Sequence, residues 1–275
     1  MKKTLDREKT VIKCPACFDL ALCLDCGQAF RWEKTENGWR GVISGREYLL
    51  NQNGSSLEVS GSTDSESIHI LENYFDFDRD YEAILDTLNN DKYFSKAASE
   101  YYGIRILRQE SWEALCSFII SQNNNIPRIK GIISRLCENF GENTGNGAYS
   151  FPSAQRLSLL EVSDLAPLRS GFRAKYIIDA ARKVSFGEVD LKKIEKMPIE
   201  QARQTLMSVK GVGPKVAECA LLYGFNRLEA FPVDVWVKRI LKELYPKGLP
   251  ECFSGYEGIA QQYLFHWRRN LDTKE

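Results

Sequence analysis

Long apolar runs are missing from this 275-residue chain, and nothing in it approaches the roughly 20 consecutive residues that a membrane-spanning helix needs. The opening MKKTLDREKTVIK is charged, with no apolar stretch behind it, so it does not read as a secretory signal. Both absences predict a cytoplasmic protein with no membrane partner, whose eight cysteines are mostly reduced thiols. Histidine is scarce: His69 and His266 are too few and too isolated to build a site. Internal repeats and low-complexity tracts are absent as well. What remains, 43% hydrophobic and 27% charged, is the composition of a globular chain long enough for one large domain or two ordinary ones.

Net charge is also lacking, because 37 Lys and Arg balance 37 Asp and Glu. The average hides two flanks. Residues 51–90 hold nine acidic side chains and one basic one, whereas residues 165–250 hold sixteen basic against nine acidic. A basic flank can hold a polyanion, although solvated helix faces explain such charge equally well.

Residues 29–60 contain short β-like runs, Ala29–Trp32, Trp39–Ile43, Tyr48–Asn51 and Leu57–Val59. Turns at Glu36-Asn37-Gly38, Ser44-Gly45 and Asn53-Gly54 separate them, which predicts an antiparallel sheet built from hairpins. Near residue 80 the apolar period becomes helical, as in Tyr81 to Leu88. Helices are then expected at about 109–122, 126–139, 171–185, 198–209, 214–225, 234–244 and 255–268. The order predicts an α+β chain: a small antiparallel sheet domain over 1–100, then a mostly helical domain over 101–275.

The stretch 206–236, LMSVKGVGPKVAECALLYGFNRLEAFPVDVW, carries the chemistry. One helix stops at Lys210-Gly211-Val212-Gly213, and Pro214 opens the next at its favoured position. This is a helix-hairpin-helix within 198–225. Backbone N–H groups at the second helix's start, around Gly211, Gly213 and Val216, suit a DNA phosphate. A glycine turn alone is also an ordinary way to join two helices. Lys215 stands in the first helical turn, where the helix dipole and partial burial favour a neutral, nucleophilic amine. Further on, Pro232-Val233-Asp234 precedes a helical run. Asp234 is a plain N-cap, a carboxylate able to stabilise a cationic sugar, or both.

The GVGPK…PVDV string resembles the helix-hairpin-helix Gly/Pro-Asp DNA glycosylases. Three more segments resemble the 8-oxoguanine branch: Cys26 to Trp32 (CGQAFRW), Ser121 to Ile129 (SQNNNIPRI) and Tyr256 to Phe265 (YEGIAQQYLF). The resemblance spans nearly the whole chain. It implies a sheet domain of the TATA-binding-protein type and a base-excision repair enzyme that flips 8-oxoguanine out of double-stranded DNA. Removal runs through a Lys215 Schiff base with associated AP-lyase (β-lyase) activity, and Asp234 stabilises the sugar cation. The Gly27 carbonyl resembles the acceptor of the lesion's N7–H, and Gln261 the amide that reads its Watson–Crick edge. Phe265 and Cys219 resemble the two faces of the base pocket. Asn123, Arg128 and Arg173 resemble the residues that fill the hole and contact the orphaned cytosine, with Phe172 as the wedge. Phe172 stands where the wedge is often Tyr, and Trp236 where eukaryotic relatives have a phosphate-touching His. The implied protein is a monomer that needs no cofactor and is nucleoid-associated if bacterial. Two other readings are a monofunctional alkylpurine glycosylase, against which Lys215 argues, and a non-catalytic damage-binding protein, against which Lys215 with Asp234 argues.

Cys14-Pro-Ala-Cys17 and Cys23-Leu-Asp-Cys26 form a CxxC-x5-CxxC array. In isolation it suggests zinc. Its spacing is shorter than that between paired zinc knuckles, so reduced thiols on a β-hairpin, without metal, are expected instead. An iron–sulfur cluster is disfavoured, because only Cys252 follows Asp234.

Overall fold

The computed structural model describes residues 9–145 and 147–271. Most of the charged opening, residues 1–8, lies outside the described residues. Five strands, β1 (Lys9–Lys13), β2 (Trp32–Thr35), β3 (Gly38–Ile43), β4 (Arg46–Asn53) and β5 (Ser56–Gly61), form an antiparallel sheet in the order β1-β5-β4-β3-β2. Strands β2 to β5 are a hairpin meander whose turns fall at the expected glycine positions. Strand β1 was not legible from turn signals. It pairs with β5, its partner Lys13↔Ser56 being far along the chain, and no hairpin marks it.

Two expectations are corrected here. The strand predicted over 29–32 begins only at Trp32. Residue 28 explains the delay: the buried Gln28 side chain bonds the backbone of Arg105 and Leu107, so the preceding segment turns inward between sheet and helices. The Cys14–Cys26 segment is not a β-hairpin. It is a loop followed by helix α1 (Leu20–Asp25), because Asp19 Oδ1 accepts the Leu22 amide at 2.8 Å and caps a helix start.

The helices that follow are α2 (Ser65–Tyr74), α3 (Tyr81–Leu88), α4 (Lys92–Glu100), α5 (Ser111–Ser121) and α6 (Ile126–Phe140). A short ribbon, β6 (Asn143–Gly145) and β7 (Ala148–Tyr149), leads to α7 (Ala154–Ser158). Then come α8 (Ala174–Ser185), α9 (Leu191–Ile194), α10 (Ile199–Met207), α11 (Pro214–Phe225), α12 (Val235–Leu244) and α13 (Glu257–Leu271). Part of the acidic flank serves local structure: Asp64 and Asp80 cap α2 and α3, and the buried Asp76 pairs with Arg79 and Arg108, while Asp91 just beyond it caps α4.

Two apolar cores result. One lies under the sheet, where Trp32, Leu50, Leu57 and Val59 meet Leu24 of α1 and Leu71 of α2. The other fills the helical part around α5 and α11 and takes in Leu85, Leu88 and Phe94 from α3 and α4. Helix α11 is buried nearly all round, from Val216 to Tyr223, as an apolar helix of a large core must be. Its first turn reaches the surface, and this fixes where Lys215 emerges. No helix among the described residues is long and apolar enough to cross a membrane.

Candidate active site

Helices α10 and α11 meet at the expected glycine turn, and its two glycines do different things. Gly211 has φ +81°, and a Cβ there would lie 2.4 Å from the Tyr176 ring, so both backbone and packing demand glycine. Gly213 is the N-cap of α11 with φ −98°, and a Cβ on it would meet no atom within 4 Å. Neither strain nor packing requires glycine there; what it leaves is open room over the helix start. The α11 N-terminus has no side-chain cap among the described residues. Pro214 has no N–H, and the Ala217 amide bonds the Gly213 carbonyl at 3.0 Å. The amides of Lys215 and Val216 therefore lack intrahelical partners and form an anion seat at the positive end of the helix.

A cavity of about 50 Å3 opens beside this turn, lined by Gly27, Phe118, Lys215, Cys219, Tyr223, Pro232, Asp234, Gln261, Gln262 and Phe265. The six residues expected for catalysis and base recognition are all among them. Two larger surface clefts, of about 370 and 580 Å3, contain none of these groups. The small cavity is the one with the chemistry.

Each wall is held by identifiable contacts. Lys215 Nζ lies 5.4 Å from the Phe118 ring centroid. Cys219, one turn along α11, is buried. Burial pushes its thiol up, while the Lys215 ammonium, hydrogen-bonded to it, pulls the other way. Asp234 is the N-cap of α12, and its Oδ1 accepts the amides of Trp236 at 2.9 Å and Val237 at 2.8 Å. Both cap bonds use one oxygen, so the carboxylate caps a helix and lines the cavity together. Gly27, at φ +87°, adopts a backbone conformation that favours glycine. Gln261 is buried, and its Oε1 has no hydrogen-bond partner among the described residues. An unpaired buried amide oxygen costs about 1–3 kcal/mol, so this acceptor is held ready for a donor from outside the chain.

Several positioning groups were missed from the sequence. Gln28 donates to the carbonyls of Cys23 at 3.0 Å and Arg105 at 2.8 Å and accepts the Leu107 amide at 2.9 Å, which fixes the segment that carries Gly27. Gln262 donates to the Cys26 carbonyl at 3.1 Å and accepts the Tyr223 hydroxyl. Glu218, buried on α11, accepts from Arg203 and from the Phe231 amide, tethering the approach to Asp234. An acidic residue inside an apolar helix was a visible signal for Glu218. Gln28 and Gln262 lay next to recognised residues, but nothing separated them from surface amides.

The residues expected around the orphaned base form a second group. Asn123 is exposed with φ +46°, and Arg128 is exposed in the first turn of α6, whose N-cap is Asn125. Phe172 is 45% exposed, and its ring stands 4.4 Å from the Arg173 guanidinium. Arg173 itself is buried and donates to the carbonyls of Gln122, Asn123 and Ser170. It binds the Asn123 loop to the Phe172 turn. Trp236, half-buried, is stacked by Arg239 at 5.0 Å.

The four clustered cysteines are divided between the cores, Cys14 and Cys23 under the sheet, Cys17 and Cys26 in the helical part. Burial pushes Cys14 up to about 11 and Cys26 up to about 12, the neutral-thiol rather than thiolate side. Among the described residues no group of three or more His, Cys, Asp or Glu could hold a metal ion.

Residues 11–115 match the model of the 8-oxoguanine DNA glycosylase N-terminal domain, and residues 116–248 match that of the HhH-GPD superfamily of base excision DNA repair proteins. The N-glycosylase/DNA lyase of Saccharomyces cerevisiae is 38% identical over 82% of this chain and 68% of its own. The chain belongs to the 8-oxoguanine DNA glycosylase family. Solved structures of the family superimpose closely. MBOgg1 in complex with a low affinity DNA ligand is 40% identical, with a TM-score of 0.90 over 96% of each chain. The Clostridium acetobutylicum 8-oxoguanine glycosylase/lyase, in complex with double-stranded DNA containing cytosine opposite 8-oxoG, is 33% identical, with a TM-score of 0.87 over 97% of this chain and 98% of that one.

Proposed function

We propose that this chain excises 8-oxoguanine from double-stranded DNA and cleaves the resulting strand as a lyase, with Lys215 as nucleophile. The observation that carries this reading is the unpartnered Gln261 Oε1, buried in the same small cavity as Lys215 and Asp234. A guanine-type base brings N–H donors on its Watson–Crick edge, which that oxygen lacks in the free protein. The Gly27 carbonyl accepts the N7–H that 8-oxoguanine has and guanine lacks. A site built around a hydrogen bond rejects the analogue without it strongly.

The Lys215 amine attacks C1′, the C1′–N9 bond breaks, and the base leaves with the bonding pair and gains a proton. Asp234 offsets the positive charge that develops on the sugar. Ring opening gives a Schiff base between Lys215 Nζ and C1′. Loss of a C2′ proton then expels the 3′ phosphate, and hydrolysis frees the lysine. The chain's own groups suffice, and no cofactor is required. The open seat at Gly213 and Val216, with Gly211 behind it, takes a backbone phosphate, and Trp236 donates its indole N–H to another. Phe172 and Asn123 enter the gap left by the flipped base, and Arg128 and Arg173 meet the orphaned cytosine. A single chain supplies every group, so the enzyme acts as a monomer, in the cytoplasm and on the nucleoid if it is bacterial. Lys215 in the cavity argues against the monofunctional alkylpurine reading.

Borohydride trapping on a duplex with one 8-oxoguanine opposite cytosine tests the proposal. A covalent complex and a 3′-cleaved strand are expected. A protein that binds the lesion but neither traps nor releases base would overturn it in favour of a damage-binding role.

A further inference from the structure

The cavity is too small for its proposed guest. About 50 Å3 accommodates a few waters, whereas pockets for small-molecule ligands run to about 300 Å3 or more. Some wall has to yield when a base enters. Gln261, Gln262, Cys219 and Tyr223 are buried and packed from behind. Of the half-buried walls, Asp234 is fixed as a helix cap, Lys215 is held against Phe118 and Cys219, and Gly27 sits on the segment that Gln28 fixes, so the Phe265 ring is the wall left to move.

One side chain touches both that ring and the Gly27 segment. Arg269 follows Phe265 by four residues on α13, on the same helix face. Its guanidinium carbon is 5.4 Å from the Phe265 ring centroid, within cation–π range. Its Nη2 donates to the Asp25 carbonyl at 3.4 Å, two residues before Gly27. Its Nη1 stands 3.4 Å from where a Gly27 Cβ would be. Gln262, also on α13, bonds the Cys26 carbonyl, and the Phe265 ring edge lies 3.8 Å from where a Gly27 Cβ would be. The same charge opposes protonation of the buried His266, whose pKa is pushed down to about 4 first by burial and then by Arg269.

We propose that Arg269 is a positioning residue that clasps the yielding Phe265 ring of the base pocket to the fixed Asp25–Gly27 segment, and thereby sets how firmly an extruded base is held. The proposal rests on the base-excision reading above. On entry the base displaces Phe265 and the clasp gives. Once the base is in, the guanidinium presses the ring against it from the far face and keeps the Gly27 carbonyl in register with N7–H.

Two reactions of the same enzyme separate this role from a general one. Excision needs a base in the pocket. Cleavage of a preformed abasic site uses Lys215 but leaves the pocket empty. In Arg269→Ala, single-turnover excision of 8-oxoguanine opposite cytosine should fall about five- to tenfold, the scale of one lost cation–π contact with its hydrogen bond. Abasic-site cleavage should stay within about twofold, a change near the scatter of distant substitutions. Arg269→Lys keeps a cation over Phe265 but cannot span to Asp25, and should recover only part of the loss. Unchanged excision in Arg269→Ala overturns the clasp while leaving the base-excision reading intact. An equal fall in both reactions overturns it in favour of a role in folding or DNA binding. An unsubstituted protein without excision would sink the underlying reading itself.

Discussion

Gln261, Cys219 and Tyr223 stand in the base pocket almost without solvent exposure, whereas Asn123 and Arg128 are exposed and Phe172 is 45% exposed. The first group is locked before any DNA arrives: Tyr223 bonds Gln262, Asp234 is fixed as a cap, and Lys215 is held against Phe118 and Cys219. In the second group Arg173 donates to three backbone carbonyls. The pocket is preorganised, which is where a charge-developing reaction gains most. The gap-filling surface has to exchange its internal bonds for bonds to DNA. Chemistry should therefore depend steeply on single pocket atoms, and opposite-base choice only moderately on single surface atoms.

The strongest test of that contrast is Lys215→Gln. It should abolish borohydride trapping and leave lesion binding largely intact, as measured by gel shift on an 8-oxoguanine duplex. A variant that still traps would mean that another amine is the nucleophile. Next comes Asp234→Asn, which should slow excision by about 10²- to 10³-fold, the usual scale for a lost charge-stabilising group. Asparagine caps a helix about as well as aspartate, so the melting temperature should barely move. Equal losses in binding and turnover would reduce Asp234 to a structural role.

On the exposed side the effects shrink. Arg128→Ala should flatten the preference for 8-oxoguanine opposite cytosine over adenine by about 1–3 kcal/mol at most, one base contact's worth, while excision opposite cytosine continues. Arg173→Ala should flatten the preference too and in addition lower excision opposite every base, because it removes a cytosine contact and also unties the Asn123 loop. Single-turnover rates opposite all four bases separate the two. If Arg173→Ala altered only the opposite-base preference, its carbonyl bonds would not matter in the complex.

The smallest effect is expected at Gly213 of the glycine turn, with Gly211 as its contrast. Gly213→Ala should weaken duplex binding a few-fold, with a loss in stability of under about 1 kcal/mol, because the site is open and φ is ordinary. Gly211→Ala should destabilise the fold by about 1–3 kcal/mol through its left-handed backbone and the overlap with Tyr176. Thermal melts beside salt-dependent binding isotherms distinguish these outcomes. Comparable melting temperatures for the two variants would contradict the division of labour.

The sequence carried the hairpin sheet and the long amphipathic helices because period and turn chemistry are local. Helix α11 was readable to its ends, from Pro214 to Phe225. Strand β1 and the Cys14–Cys26 segment were not readable, since one depends on a distant partner and the other on a cap at Asp19. The pocket's six named groups were reached by resemblance together with the unusual placement of a lysine after Gly-Pro. What no pattern conveyed was which polar groups have partners. Gln28 is saturated and Gln261 Oε1 is orphaned, yet in sequence each is a glutamine next to an alanine, with nothing to tell the two apart.

The double duty of Asp234 also bears on how loss-of-function alleles would behave in a cell. Lys215 caps no helix among the described residues, and its amine meets the pocket groups Phe118 and Cys219, so Lys215→Gln leaves a well-folded protein. Asp234→Ala removes two amide acceptors from α12 as well as the carboxylate, and costs about 1 kcal/mol of helix stability. A Lys215 null would persist at full abundance and occupy lesions that it cannot clear, interfering with any intact copy beside it. An Asp234→Ala null would be thinned by proteolysis and behave as a simple deficiency. Two substitutions in one small cavity would thus differ when expressed beside an intact copy, the first interfering with it and the second not.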